Sequence, residues 1–167
     1  MQIRSASLTD HGSLLQLYKR VSSVPGGLAR LPDEIDDAYI SAILVNAIAR
    51  GICLVTETGA GGLKAEIHAY APIPSCFSHV LSELTIAVDP EAQGKGLGRR
   101  IFETFMHIVE VERPNVHRVE LIARESNAKA IRFYETLGFV TEGRMRNRIA
   151  SFGGDCESDV AMAWLRA

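Results

Sequence analysis

The stretch VDPEAQGKGLGRRIF, residues 88–102, carries the strongest structural signal in this sequence. An apolar run that is typical of a strand ends at a proline, and three glycines then alternate with Lys95 and Leu97. A helical pattern begins directly after them, on two arginines. Glycines permit backbone angles and close approaches that a side chain would block. A turn that leads several N–H groups into a helix N-terminus favours a phosphate, because those donors lack partners and the helix dipole attracts anions.

Two common phosphate-binding motifs do not fit this stretch. The Walker A motif requires serine or threonine directly after Gly-Lys, whereas Gly96 follows Lys95 here. The dinucleotide fingerprint G-x-G-x-x-G requires a glycine where this chain has Arg99, and it belongs to a succession of βαβ units. The glycine-rich run at 59–62 satisfies neither motif.

Composition and charge indicate one folded domain, which we expect to span 1–167. Of the 167 residues, 47% are hydrophobic and 23% are charged. The net charge is −2 at pH 7, so no global field favours nucleic acid or anionic lipid, and we expect neither partner. We expect a cytoplasmic protein, because the N-terminus lacks a signal-peptide pattern and no apolar run is long enough to span a bilayer.

Cysteines and histidines predict neither a disulfide framework nor a metal site. Cys53, Cys76 and Cys156 are odd in number and far apart, which fits a reducing compartment. The five histidines show no metal-ligand spacing. We therefore expect no metal.

Hydrophobic periodicity predicts the element order β-α-α-β-β-β-α-β-α-β-β. Thr9 is expected to cap the first helix, and a flexible break at 24–32 precedes a second helix at 33–49. Two further helices are expected at about 97–112 and 127–137. The glycines at 59–62 predict a hairpin turn. This order indicates an α/β sandwich with a mixed, mostly antiparallel sheet of about seven strands and about four helices. The unit at 82–124 should contribute one parallel strand pair.

The segment QGKGLG, residues 93–98, resembles the acetyl-CoA pyrophosphate loop of the GNAT N-acetyltransferases, which has the pattern Q-x-x-G-x-G. Three features strengthen this resemblance: the preceding LTIAVDP, the later SNAKAIRFYETLGF at 126–139, and the order of elements. The resemblance is sharp over 81–139 and topological elsewhere. It implies a GNAT fold with a splayed parallel strand pair, acetyl-CoA as the acetyl donor, and direct transfer to a primary amine.

The resemblance also implies where acetyl-CoA binds. Backbone N–H groups at 93–98 would hold the pyrophosphate, the strand at 85–88 would run beside the pantetheine, and the strand at 118–124 would diverge to admit the thioester. The residues expected to contact the cofactor are Ile86, Ala87, Val88, Gln93, Gly94, Lys95, Gly96, Leu97, Gly98, Arg99, Asn127, Ala130, Phe133 and Tyr134.

Acetyl transfer to an amine requires two proton movements. An alkyl amine with a pKa of ~10.4 must lose a proton, and the departing thiolate benefits from a donor. Tyr134 is the candidate general acid, because it lies two helical turns after Asn127 on the face that the resemblance directs towards the cofactor. The alternative is a packed core tyrosine.

Glu83 is the candidate general base. It shares strand parity with Thr85 and lies just upstream of the expected thioester, and phosphinothricin-type acetyltransferases are similar in placing a glutamate at the matching position. Ribosomal-protein alanine acetyltransferases use a glutamate on the next strand, where this chain has Ile122, with Glu120 nearby as a weaker candidate. The alternative for Glu83 is an exposed strand-end carboxylate.

The acceptor stays open at this level. Glu83 favours a small-molecule amine, a protein N-terminus is the alternative, and the basic run EGRMRNR at 142–148 would suit an acidic acceptor. Glu66, His68 and Tyr70 share a strand face that either lines the acceptor cleft or is exposed. A non-catalytic acyl-CoA-binding module is a further alternative, and a homodimer is left open.

Overall fold

The computed structural model describes residues 1–24, 28, 30–57, 62–150 and 156–167. Within these ranges, seven strands form one sheet: β1 (Gln2–Ser5), β2 (Gly51–Glu57), β3 (Leu63–Tyr70), β4 (Val80–Val88), β5 (Arg118–Arg124), β6 (Val140–Ala150) and β7 (Cys156–Leu165). In space their order is β1-β2-β3-β4-β5-β7-β6. All neighbours are antiparallel except β4 and β5, which confirms the predicted mixed sheet with one parallel pair.

The described residues also form four α-helices: α1 (His11–Ser22), α2 (Asp37–Arg50), α3 (Leu97–Glu112) and α4 (Ala128–Glu135). Of these, α3 has the predicted limits. The prediction that Thr9 caps the first helix is wrong, because a 3₁₀ turn precedes α1 and Asp10 occupies the cap position. The second helix begins later than predicted, because the side chain of Asp36 accepts the N–H of Tyr39 at 2.8 Å and so caps the chain there.

Most of the predicted break at 24–32 and of the predicted turn at 59–62 lies outside the described residues. The hairpin itself is confirmed, because β2 and β3 pair in antiparallel register along their full lengths. The last turn of α4 also ends earlier than the sequence indicates, two residues before Leu137.

Each face of the sheet has its own apolar cluster. On one face, β3, β4 and β5 pack against α3 through fully buried side chains such as Ile67, Phe102 and Phe105. On the other face, α1 and α2 contribute Leu17 and Ile40 to a second cluster. Two filled faces hold the sheet rigidly, and the candidate site forms where β4 and β5 separate.

Candidate active site

The loop before α3 presents a run of free backbone donors. Gly94 and Gly96 have φ angles of 73° and 77°, which glycine adopts without strain. The amides of Gln93 and Arg100 donate to nearby carbonyls at 3.4 and 3.0 Å. Within the described ranges, the amides of residues 94–99 have no acceptor. Because these donors open at a helix N-terminus, the loop suits a diphosphate.

The side chains around this loop are only partly engaged. Lys95 Nζ donates to a neighbouring carbonyl at 2.7 Å. The guanidinium of Arg99 lies 5.1 Å from the ring centre of Phe133, which joins the loop to α4. Gly98 packs close to β4, since an added Cβ would lie 3.4 Å from Val88 Cγ2. The two sequence segments predicted to hold acetyl-CoA are therefore neighbours in space.

Helix α4 presents a half-buried aromatic face. Its first turn is capped by Asn127, whose side chain accepts the N–H of Ala130 at 3.1 Å. Phe133 and Tyr134 pack against Phe102 with ring centres 5.6 and 5.5 Å apart, yet no residue of α4 is fully buried. Burial raises the pKa of Tyr134 to about 12. This phenol therefore stays protonated at neutral pH.

Strands β4 and β5 pair only through the first two residues of each strand and then diverge. At the point of divergence Glu83 has a φ of 56°, which is unusual for a residue with a side chain. The register with β3 shifts here, and Leu81 and Leu84 both join the cluster under α3. The regular alternation that the sequence suggests for Glu83 and Thr85 is therefore interrupted by a bulge, a feature that re-aims side chains and ends strand pairing.

A cavity of about 670 Å³ opens beside this bulge. Glu83, Glu120 and Ile122 line it, together with side chains from β6 and β7. Glu83 is exposed, and no ion pair or hydrogen bond to its carboxylate is found in the described part of the chain. Glu120 is held by Arg118 at 2.7 Å. Of the two carboxylates, Glu83 is the one that is free to take a proton.

The two candidate catalytic side chains lie on different faces of the sheet. Tyr134 belongs to the cluster under α3 and is not among the residues that line the cavity. Glu83 opens onto the cavity, which Glu120 and Ile122 line from the face of β5 that points away from α3. Glu83 therefore opens onto the cavity face of the sheet, and Tyr134 packs on the face covered by α3.

The structure contains a buried polar cluster that the sequence did not predict. Glu66 and His68 are 0% and 3% exposed, so the expectation that they line a cleft or an open strand face is wrong; α1 covers them. The carboxylate of Glu66 accepts from Tyr18 Oη at 2.6 Å and Cys53 Sγ at 3.2 Å, and lies 2.9 Å from His68 Nδ1. Burial and this carboxylate raise the pKa of Tyr18 and of Cys53, so both remain donors. Tyr18, a polar residue within an apolar helix stripe, was the available signal.

Cys53, Cys76 and Cys156 are all free thiols. Among the described residues, no group of three or more His, Cys, Asp or Glu side chains is arranged to hold a metal ion. No α-helix in those ranges is both long and apolar enough to cross a membrane.

Comparison with known proteins agrees with the loop geometry. Residues 51–139 match the model of the acetyltransferase (GNAT) family. The chain belongs to the GNAT family. This assignment explains the separated β4–β5 pair and the free amides before α3 as parts of one shared architecture.

Two curated relatives resemble parts of this GNAT chain. The [ribosomal protein bS18]-alanine N-acetyltransferase of Escherichia coli K12 is 48% identical over 64 residues, which cover 36% of this chain and 41% of the relative. The spermidine N(1)-acetyltransferase of Vibrio cholerae is 29% identical over 113 residues, or 68% of this chain and 61% of the relative. Both matches span less than two thirds of the relative's own length.

Solved structures resemble the chain over almost its whole length. The ribosomal-protein-alanine N-acetyltransferase of Brucella melitensis has a TM-score of 0.81 at 22% identity, covering 99% of this chain and 100% of that one. An acetyltransferase from Salmonella typhimurium, solved with its cofactor acetyl-CoA, has a TM-score of 0.75 at 22% identity, covering 99% and 93%. Both establish the GNAT fold of this chain.

Proposed function

We propose that this GNAT protein transfers an acetyl group from acetyl-CoA directly to a primary amine. The observation that carries the proposal is the run of amides at 94–99, which have no acceptor among the described residues and open at the head of α3. A diphosphate bound there leaves the pantetheine arm free to follow β4 towards the cavity. The match to the GNAT family and the acetyl-CoA in the Salmonella typhimurium neighbour support this ligand.

The bound acetyl donor supplies an activated thioester, and the residues of the chain position it. The amides of Gly94, Gly96 and their neighbours bind the diphosphate, with charge from Lys95 and Arg99. Ile86, Ala87 and Val88 run beside the pantetheine, and Asn127, Ala130 and Phe133 contact it from α4. Gly98 lies against β4, where an added Cβ would be in van der Waals contact with Val88 Cγ2 at 3.4 Å.

Glu83 is proposed as the base that receives the amine proton, directly or through water. The absence of an ion pair in the described part of the chain and its place in the cavity both favour this role. Glu120 is less suited, because Arg118 already holds it. Tyr134 is proposed as the donor at the departing sulfur.

The acceptor class is a primary amine of a small molecule or of a peptide. Relatives that act on spermidine and on a ribosomal protein leave both types open. We favour a small molecule, because Glu83 matches the position of a glutamate in phosphinothricin-type acetyltransferases. A protein N-terminus is the second candidate, because the ribosomal-protein enzyme is 48% identical over the 64 matched residues.

The experiment measures release of free CoA with acetyl-CoA and an amine panel that includes spermidine and a peptide beginning with alanine. Glu83→Gln should lower kcat/KM by about 10²–10⁴-fold. The loss should be largest at low pH, where more of the amine is protonated. Glu112→Gln, at an exposed glutamate on α3, is the matched control and should keep the wild-type rate.

Two results would contradict the proposal. A ratio of wild-type to Glu83→Gln rates that does not vary with pH removes Glu83 as the base. Acetyl-CoA that protects the protein against heating, without CoA release on any amine, indicates a non-catalytic acyl-CoA-binding module instead.

A further inference from the structure

Three arginines line the 670 Å³ cavity, and one of them is fully engaged. Arg118 donates to Glu120 at 2.7 Å and to the two carboxylate oxygens of Glu142 at 2.9 and 2.5 Å. These paired hydrogen bonds use the guanidinium fork in the geometry that suits carboxylates. Arg118 therefore has little capacity left for a ligand.

The other two guanidiniums are poorly satisfied. Arg124 makes one long contact, to Glu157 at 3.3 Å, and its buried Nε finds no acceptor within the described ranges. Among the described residues, Arg148 lies 3.8 Å from Asp159 and otherwise contacts the sulfur of Met145, a weak acceptor. Each guanidinium carries five N–H donors, so most of them have no acceptor in the part of the chain that the structure describes.

Asp159 lies between these two arginines and compensates them weakly. It is the register partner of Arg124 across β5 and β7, and its Oδ2 lies 3.8 Å from Arg148 Nη1. Its burial raises the pKa of Asp159, so the carboxylate is held in its charged form less firmly than an exposed one. A buried donor without an acceptor destabilises the folded chain. An anionic ligand would supply the missing acceptors.

The cavity has charge of opposite sign at its two ends. Glu83 and Glu120 lie near the point where β4 and β5 separate, whereas Arg124 lies four residues further along the same face of β5. Four residues of strand correspond to ~13 Å. A ligand that meets both ends must therefore hold its amine and its anion several bonds apart.

We propose that the acceptor is a primary amine that carries a carboxylate several bonds from the nitrogen. Arg124 and Arg148 bind the carboxylate, and the amine lies beside Glu83. The inference rests on the proposed acetyl transfer and deepens it by naming the acceptor class. A free α-amino acid is too short to reach both ends, whereas an ω-amino acid or a peptide with an acidic residue near its N-terminus has the required length.

The test uses pairs of amines that differ only in charge. The small-molecule pair is 6-aminohexanoate and 6-aminohexanamide, and the peptide pair is Ala-Gly-Asp-Gly amide and Ala-Gly-Asn-Gly amide. In each pair the second compound keeps the size and loses the anion. Wild-type protein should prefer the anionic member of at least one pair by about 10- to 100-fold in kcat/KM, the effect expected of charge-assisted hydrogen bonds. The pair that shows the preference identifies the source of the carboxylate.

Arg124→Gln and Arg148→Gln assign the preference to these side chains. Each substitution should bring the ratio of kcat/KM for the anionic amine to kcat/KM for its neutral partner close to one, mainly by raising KM for the anionic amine. The rate with the neutral amine and the KM for acetyl-CoA should stay near wild type. Arg146→Gln removes the same charge from the same strand at an exposed position that does not line the cavity, and it should keep the wild-type ratio. Because Arg148 is half-exposed, its variant tests the idea even if Arg124→Gln folds poorly.

A wild-type ratio near one in both pairs, or a ratio that survives both substitutions, overturns the inference. Equilibrium binding of each pair is measured in parallel by calorimetry. If no amine is acetylated, the proposed function fails, and the binding ratio still decides whether Arg124 and Arg148 recognise the carboxylate.

Discussion

Tyr18→Phe should lower the free energy of unfolding by about 2–3 kcal/mol, a large effect for the loss of one oxygen atom. The hydroxyl of Tyr18 donates to Glu66 over 2.6 Å, and both residues are 0% exposed, so water does not replace the lost donor. Removing one partner of a buried hydrogen bond leaves the other without a partner, at a cost of about 1–3 kcal/mol. In a chain of this size, that loss lowers Tm by roughly 4 to 12 °C.

Urea unfolding and a thermal scan measure this loss, with Tyr70→Phe as the matched control. Tyr70 is half-buried and stacks on His68 at 6.1 Å, and its hydroxyl donates to no group in the described part of the chain. The same chemical change there should stay within about 0.5 kcal/mol. The comparison separates the hydrogen bond from the general effect of removing a phenol oxygen.

A double-mutant cycle with Glu66→Gln then isolates the pair. The coupling energy between Tyr18→Phe and Glu66→Gln should be about 0.5–3 kcal/mol, as for directly contacting polar residues. If Tyr18→Phe is no more destabilising than Tyr70→Phe, or if the two substitutions are additive, the buried carboxylate does not depend on this donor and the reasoning is refuted.

Three further predictions concern the loop before α3, the candidate general acid Tyr134, and the stability of the fold at low pH. Gly96→Val, at φ 77°, should weaken acetyl-CoA binding at least tenfold by calorimetry, whereas Gly143→Val, in open space at an ordinary φ, should not; equal affinities contradict the loop assignment. Tyr134→Phe should lower kcat roughly 10- to 100-fold with unchanged cofactor affinity and no pH dependence between pH 6 and 9, and a wild-type rate rules out the hydroxyl. The Arg4 guanidinium lowers the pKa of Asp10 from 3.8 to about 2. The ion pair therefore stabilises the fold above pH ~4, and this stabilisation is lost as the pH falls through 2. Asp10→Asn should therefore cost about 2 kcal/mol at pH 7, a gap that closes in acid, while Asp33→Asn at an exposed site costs little in urea unfolding at either pH.

Much of the fold follows from the sequence because its signals are local. The glycines and the apolar spacing after them define α3 from Leu97 to Glu112, and the period-two runs define the hairpin of β2 and β3. The helix starts were less accurate. Asp36 caps α2 three residues later than the composition of that segment suggests, since capping depends on one hydrogen bond and the apolar stripe continues on both sides of it.

The candidate site was only partly predictable, because its key features depend on long-range pairing. Glu83 was found from its place on β4, but the bulge that turns it arises from a register shift against β3. The cluster around Glu66 requires Tyr18 from α1 and Cys53 from β2 to meet one carboxylate, and no spacing in the sequence predicts such a meeting. The sequence likewise does not predict that Arg124 lines a cavity, because side chains of β6 and β7 complete the wall of that cavity.

The pKa of Tyr134 distinguishes two forms of assistance to the departing sulfur. A thiol has an ordinary pKa of ~8.5, whereas burial places that of this phenol at about 12. Complete proton transfer from the phenol to the thiolate is therefore unfavourable. Donation of a hydrogen bond avoids that cost and still stabilises the negative charge that develops on sulfur. In the proposed mechanism, the proton that the thiolate finally takes therefore comes from water or from the amine through Glu83, and Tyr134 keeps its own proton.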